Sequence, residues 1–528
     1  MSSNENAELP LRRKIWFAIF GCLQNSMVGG MLYGWACIDR SILSASTANG
    51  GAGLTLSQTT LMFSWASCAA MVSTLALGIV LDRYGPRLCS VLAHAIIALG
   101  CQVFAMSNRF ETFALAVCLI SLGGPGIQVS IVHLANLFPD NQYLVLSCLN
   151  GTISISFAVF AMFDWLWEKY PNVGFRSLFG YYALVVLVSL VASAIYWPDE
   201  PFEAPEKEYD PLEFLEPTPE EDYFEATTAH RHLLEQPLDS YLRADINPQL
   251  VRHNSYRASK KALDRGDEAL ISLKDQPFWR QFCSGTYFRT VLFFVTVCFL
   301  ANFYVASFST EMADSRNFSY ESQRDLARIF TLIMAAGVLA SLVVGVLMDR
   351  IGLDACTALT LLLGQGQILI LVFVPDHRRW MIFGFVVYVF FRQFLFPVYI
   401  ANLTAHLGFK YFGLLNGLGF AASGIAQVFM ASLVQVVQGD CNMVSTDPGE
   451  DTQTVDCEIG RWMDLHVVEF VLMGLLLLAP WIESREKLRR QERIQELLRI
   501  ASQTSMSYGS VSPSPSNLDD HARVGMEL

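Results

Sequence analysis

Charge is what this chain has least of. Only 16% of its 528 residues are Asp, Glu, Lys or Arg, against about a quarter in an ordinary soluble chain. Hydrophobic residues make up 53%, Phe alone accounts for 37 positions, and the mean hydropathy is +0.36. That balance excludes a soluble domain. No glycine-rich loop followed by Lys and Ser or Thr is present to grip phosphate, which excludes ATP drive. No metal cluster and no nucleophile–His–acid set stands out, so neither an enzyme nor a resident cofactor is expected. The apolar runs hold no convincing acidic residue, and His94 and His133 are their only titratable candidates. Facilitated diffusion without an ion is therefore the expected driving mode. The 12 cysteines mostly sit inside apolar runs as small apolar residues, which excludes a disulfide framework. Cys441 and Cys457 differ: they lie in a polar connection, where a bridge is possible on an oxidising face.

What is present is a series of apolar segments, each long enough for the roughly 20 residues a spanning helix needs. Twelve are read: 15–37, 58–81, 88–107, 112–136, 143–163, 179–197, 286–310, 326–348, 355–374, 380–402, 412–436 and 463–482. The expected fold is an all-α membrane protein of twelve helices. Residues 1–14 form an N-terminus, 15–197 and 285–482 two six-helix bundles, 198–284 a linker and 483–528 a tail. The first segment resembles a signal peptide in its basic start, but it is long, contains Gln24 and Asn25 and lacks a cleavage site.

Basic residues gather before the first segment, at Arg83 and Arg87, at Arg350, and at Arg485, Lys487, Arg489 and Arg490. By the positive-inside rule those sides are cytoplasmic, and so are both termini. Arg316, Arg324, Arg378 and Arg379 fall on the facing side. The linker carries 19 acidic and 10 basic residues and reads as disordered at first, with a helical piece around 256–275. The Ser/Pro-rich tail reads the same way. Asn317-Phe318-Ser319 is an acceptor sequon on the non-cytoplasmic side, making the chain a candidate glycoprotein.

The chain also repeats itself. GIVLDRYG (Gly78 to Gly85) returns as GVLMDRIG (Gly345 to Gly352), 267 residues later. Leu134-Ala135-Asn136 returns as Ile400-Ala401-Asn402, and Leu149-Asn150-Gly151 as Leu415-Asn416-Gly417, both 266 residues later. A six-helix unit re-enters on the same side, so the halves are parallel repeats about an axis along the membrane normal. Alternating access explains such duplication; a receptor or an enzyme does not.

Gly78-x-x-x-Asp82-Arg83-x-Gly85-Pro86-Arg87, with its partial copy at Gly345, Asp349, Arg350 and Gly352, resembles the signature loop of the major facilitator superfamily. More narrowly, the chain resembles solute carrier family 43. The likeness rests on LYGW (Leu32 to Trp35), LDRYGPR (Leu81 to Arg87), HLANLF (His133 to Phe138), Arg392-x-Phe394-Leu395 and the following FGLLNGL. Pro397 and the long linker depart from that family. The resemblance implies a sodium-independent uniporter of large neutral amino acids such as leucine or phenylalanine. The alternatives are a carrier of nucleobases or another small organic solute, with or without proton coupling, and a non-transporting sensor or scaffold. It also implies that Asp82 sits against the start of the eleventh helix, near Lys410 and Tyr411, as part of a gate with Arg83, Arg87, Asp349 and Arg350. The plainer alternative is that these charges only end a helix and set topology.

Arg392 lies about twelve residues inside an apolar run, where a charge costs several kcal/mol without a partner. Either a cargo carboxylate supplies that partner, or the arginine is structural. Tyr388, one turn away, lines the same face. Asn25, Tyr33 and Trp35 in the first segment, and Asn302 and Tyr304 in the seventh, are polar groups available for cargo or for helix–helix bonds. Gly123-Gly124-Pro125-Gly126 is expected to interrupt the fourth helix near mid-depth and mark it as a wall of the path, with Gln128 one turn on. Asn150, Asn416 and Pro397 read as hinge or packing positions. The expected partners are a small solute and the lipid bilayer, with no nucleic acid and a monomeric carrier. Plasma membrane is the first choice of location, an endolysosomal or vacuolar membrane the second.

Overall fold

The structure is a computed structural model that describes residues 9–138, 142–170, 172–202, 276–314, 319–373, 377–408, 411–438, 441–444, 454–457 and 461–478, with isolated neighbours. The greater part of the acidic linker, Asn317, the side chain of Asp349 and the Ser/Pro-rich tail lie outside the described residues.

The N-terminal portion runs through α1 (Leu11–Val28), α2 (Trp35–Ile38), α3 (Leu56–Met106), α4 (Phe110–Val132), α5 (Gln142–Gly151), α6 (Ala158–Lys169) and α7 (Phe175–Tyr196). The C-terminal portion holds α8 (Phe278–Phe282), α9 (Gly285–Asp314), α10 (Tyr320–Ala335), α11 (Gly337–Ile351), α12 (Leu353–Phe373), α13 (Arg378–Leu407), α14 (Phe412–Gln427), α15 (Met430–Val437) and α16 (Trp462–Leu476). One antiparallel hairpin, β1 (Cys441–Val444) with β2 (Thr454–Cys457), sits between α15 and α16. Helix dominates because a bilayer offers backbone groups no partner except within the segment itself. Caps fall where the chain leaves the apolar runs. Thr55 and Gln58 close a reciprocal capping box at the start of α3, at 3.2 and 3.0 Å.

Among the described residues, nine helices are long and apolar enough to cross a membrane, and up to eleven spans result if each of two bent pairs is one. The first bent pair turns by 47° between Val28 and Met31, the second by 42° between Ala335 and Gly337. Among the described residues, then, the spans are not all uninterrupted. In addition, α3 is 51 residues long, about 77 Å at 1.5 Å per residue. It contains a break at Gly85, whose φ of 78° is open to glycine. Gly352, its repeat partner, has φ 79°. The two motif copies thus end their helices in the same left-handed turn, and the sequence repeat has a conformational counterpart.

Several expectations fail locally. The Gly123 to Gly126 run does not interrupt its helix: α4 continues through Pro125, and the tight turns come later, at the 3-10 stretch His133–Leu137. The glycines serve close approach instead. A methyl on Gly124 would meet the Gly29 carbonyl of the first segment, and one on Gly123 the Ala93 carbonyl. Helix α13 likewise continues through Pro397. The fifth segment is α5, a 3-10 stretch Thr152–Phe157 and α6, so it extends to Lys169 and includes Asp164.

The two portions meet along paired seams. Gly151 leaves room only for Ser341 and Val338 of α11, and Gly417, its repeat partner, only for Leu75 of α3. Gln393 donates to the Ser154 hydroxyl across the first seam at 2.7 Å. Repeated glycines thus let opposite portions touch at repeated places, which is the packing that Asn150 and Asn416 flank.

Candidate functional site

Arg392 projects from α13 into the interior and is 4% exposed. Its Nη1 donates to Asn302 Oδ1 of α9 at 2.8 Å. Its guanidinium carbon lies 4.0 Å from the centre of the Tyr33 ring, which comes from the N-terminal portion. Asn302 Nδ2 donates in turn to Gln427 Oε1 of α14 at 3.1 Å, and Gln427 Nε2 to Ser423 at 3.3 Å. Tyr388, one turn before Arg392, donates to the Ala301 carbonyl at 2.6 Å and packs against Tyr304 with ring centres 5.0 Å apart. Arg392, Asn302, Tyr33, Tyr388 and Tyr304 therefore converge between the portions. Gln427 is the member that sequence reading missed, although it lies inside the 412–436 segment, where a lone amide is as conspicuous as Asn302.

Every described partner of Arg392 is neutral, and no ion pair to it forms among the described residues. Stacking a desolvated cation on an aromatic face contributes about 2 kcal/mol. Taking a charge out of water costs several. A guanidinium fork of this kind can form two parallel hydrogen bonds to a carboxylate.

Other expected contacts fall elsewhere. Asn25 donates to the Leu149 carbonyl at 3.0 Å and to Thr152 at 3.1 Å, tying α1 to the fifth segment and away from Arg392. Trp35 is buried against Phe63. Gln128 is half-buried on α4. His94 is held by Ser189 Oγ and the Ser90 carbonyl, both at 2.8 Å, as a packing residue. His133 lies beside the Trp197 and Phe202 rings.

On the face that carries the motif loops, Asp82 Oδ2 is 3.9 Å from where a Gly413 methyl would stand, at the start of α14. Arg87 Nη1 pairs with Asp199 at 2.7 Å and its Nε donates to the Trp197 carbonyl at 2.6 Å, fastening the end of α7. Arg83 and Arg350 are exposed.

The opposite face holds a network that sequence reading missed. Asp164 of α6 is fully buried. Its Oδ1 accepts from Arg324 Nη2 at 2.9 Å and its Oδ2 from Arg328 Nε at 2.8 Å, both on α10. Glu168 also pairs with Arg328, at 2.6 Å. This ties the N-terminal portion to the C-terminal one. The signal was present as i, i+4 spacing in both partners, but Asp164 falls one residue beyond the fifth segment as read. The β1–β2 register also sets Cys441 directly opposite Cys457 along the backbone.

The expectation that the spans lack buried carboxylates is wrong. Glu311 at the far end of α9 and Glu469 of α16 flank His466: Nε2 lies 3.2 Å from Glu311 Oε1 and Nδ1 3.0 Å from Glu469 Oε2. All three are buried. Glu311 stands at a segment end and His466 and Glu469 lie inside the last segment; only the packing of α9 beside α16 brings them together.

Residues 17–433 match the family model described as Major Facilitator Superfamily. The chain belongs to that superfamily. It is thus a transport protein rather than an enzyme, and it works as a secondary, alternating-access carrier of a small organic solute. Protein FMP42 of Saccharomyces cerevisiae is 21% identical over 402 residues, covering 69% of this chain and 75% of the relative. Large neutral amino acids transporter small subunit 3 of Homo sapiens is 23% identical over 319 residues, covering 53% and 54%. The chain therefore spans about half the length of that carrier, and its kinship to carriers of solute carrier family 43 type is distant. Among solved structures, a peptide transporter POT in complex with sulfate superposes with TM-score 0.60 at 15% identity, covering 93% of this chain and 99% of that one. A POT family transporter in complex with 5-aminolevulinic acid gives 0.56 at 11%, covering 90% and 95%. These likenesses concern the fold. Within the superfamily, the break at Gly85 and the approach of Asp82 to α14 place the signature loop at a junction between the two portions.

Proposed function

We propose that this carrier moves a small organic solute bearing a carboxylate, gripped by Arg392 while two six-helix halves rock about it. Nine spans, two bent pairs, and one further span from splitting α3 at Gly85 make twelve in this reading. The motif-loop face is cytoplasmic, with both termini on that side. The observation that carries the proposal is a buried guanidinium whose described partners are all neutral. Apolar and aromatic side chains around it, Tyr304, Tyr388 and Phe391 among them, suit an amino acid with a large side chain. The expectation of simple uniport rested on spans without titratable groups, and the Glu311–His466–Glu469 cluster removes that premise in favour of proton-coupled transport.

Uptake into proteoliposomes from a mixed pool of amino acids and nucleobases tests the reading. Excess unlabelled leucine is expected to suppress uptake and adenine to leave it. The reverse result would assign a nucleobase carrier, and no uptake of any solute would favour a sensor or scaffold.

A further inference from the structure

We propose that Glu311, His466 and Glu469 form a proton-loading site that ties α9 to α16 when occupied and frees them when empty. The inference rests on the transport reading above and assigns its driving ion a place.

Two carboxylate oxygens face the two nitrogens of one imidazole, at 3.2 and 3.0 Å. Each contact needs a hydrogen between the atoms. A neutral ring supplies one N–H, so the second hydrogen must come from another proton, on the ring or on a carboxyl. When that proton leaves, a nitrogen lone pair faces a carboxylate oxygen and one contact turns repulsive. The proton arrives from water on one face and is released to water on the other; the cluster's charge changes by one and nothing is oxidised or reduced. Buried ionisable groups within spans commonly serve such relays.

The charged groups around the cluster include another buried carboxylate, Asp39 just after α2, which is held among Thr59, Ser44 and Ser309 of α9, beside Arg40. On α9, Asp314 lies one turn beyond Glu311 and accepts from Trp462 Nε1 at 2.6 Å, while Arg289 is at the other end. On α16, Asp464 is exposed. Helix α12 faces α16 with the uncharged Gln365 and Gln367, its Asp354 being at the far end. Helix α13 offers Arg392, occupied by Asn302 and Tyr33, and the exposed Arg378 and Arg379 of its first turn. Arg324 and Arg328 of α10 are engaged by Asp164. The charged groups of α3 nearest its motif loop are Asp82, Arg83 and Arg87, and α2, α14 and α15 carry no acidic or basic residue. A small cavity is lined by His466 and Glu469 together with Tyr304, Ser307 and Phe391. Helix α9 also carries Asn302, nine residues from Glu311, or about 13 Å along the axis. Release of α9 from α16 therefore acts on the same helix that holds Arg392.

The full chain in vesicles, with the membrane potential clamped at zero, is the system for the test. With the same mixed pool as cargo, wild type should accumulate solute up to about tenfold per unit of pH gradient. The ratio of uptake with the gradient to uptake without it should fall to near one in Glu469→Gln and in His466→Gln, with counterflow retained. Counterflow with no response to the gradient in wild type overturns the proton site and leaves transport standing. Absent counterflow sinks the transport reading instead. Infrared difference spectra of the purified protein between about pH 5 and 8 judge the site without cargo. A protonated-carboxyl band should appear and be lost in Glu469→Gln and, should that variant not fold, in Glu311→Gln. Identical spectra in wild type and variant would refute the proposal.

Discussion

Arg392→Ala abolishes uptake, with at least a hundredfold fall in initial rate at unchanged surface abundance. Two charge-assisted hydrogen bonds to a carboxylate are worth about 1.5–3 kcal/mol each, and their joint loss corresponds to about a hundredfold or more. Arg392→Lys rescues poorly, because an ammonium has neither the fork for a carboxylate nor the flat face that lies on Tyr33. A third substitution separates cargo binding from structure. Arg392→Met removes a buried charge that has only neutral described partners, so thermal stability holds or rises while transport is still lost. A marked fall in melting temperature, or near-normal uptake by the alanine variant, would remove Arg392 from the cargo site.

Asp164→Ala opens the face opposite the motif loops. The carboxylate is fully buried and takes hydrogen bonds from both Arg324 and Arg328. Breaking a buried pair by removing one partner costs about 3–5 kcal/mol, enough to shift a two-state population by more than about a hundredfold. The chain holds its own reporter. Cys37 is 2% exposed, and its Sγ lies 3.7 Å from the Ala327 carbonyl, between the two arginines on α10. Labelling of Cys37 by a membrane-impermeant maleimide should rise by about two orders of magnitude in the variant, with Cys37→Ser as the blank. Unchanged labelling would mean that the network does not hold this face shut.

The fold was legible in sequence because bilayer length, positive-charge bias and a repeat at 266–267 residues constrain it independently. Gly85 and Gly352 show the repeat down to a shared left-handed turn. Helix interruptions were read poorly. Pro125 predicts a break, but a proline bend is absorbed where Gly123, Gly124 and Gly126 let neighbouring helices press close. The bends came instead at Gly29-Gly30 after Val28 and at Gly337 after Ala335, glycines that sequence reading passed over. Arg392, Tyr388, Tyr33, Asn302 and Tyr304 were legible because polar groups in apolar runs are conspicuous. Asn25 was equally conspicuous, and a backbone carbonyl on the fifth segment claims it. Asp164 and Glu311 stand at segment ends, where charge is ordinary, while His466 and Glu469 lie inside the 463–482 segment and were passed over. Their meaning comes from which helices pack together, and hydropathy does not carry that.

The central claim is alternation about Arg392, and paired distances across both faces test it most directly. In a background without reactive cysteines, spin labels at Lys169→Cys and Tyr320→Cys report the face of the Asp164 network. Labels at Tyr84→Cys and Leu414→Cys report the motif-loop face. Vesicles that transport should show two populations on each face, the longer distance on one accompanying the shorter on the other, with Asp164→Ala shifting both in opposite senses. A single fixed distance on either face, or both faces widening together, would contradict the account.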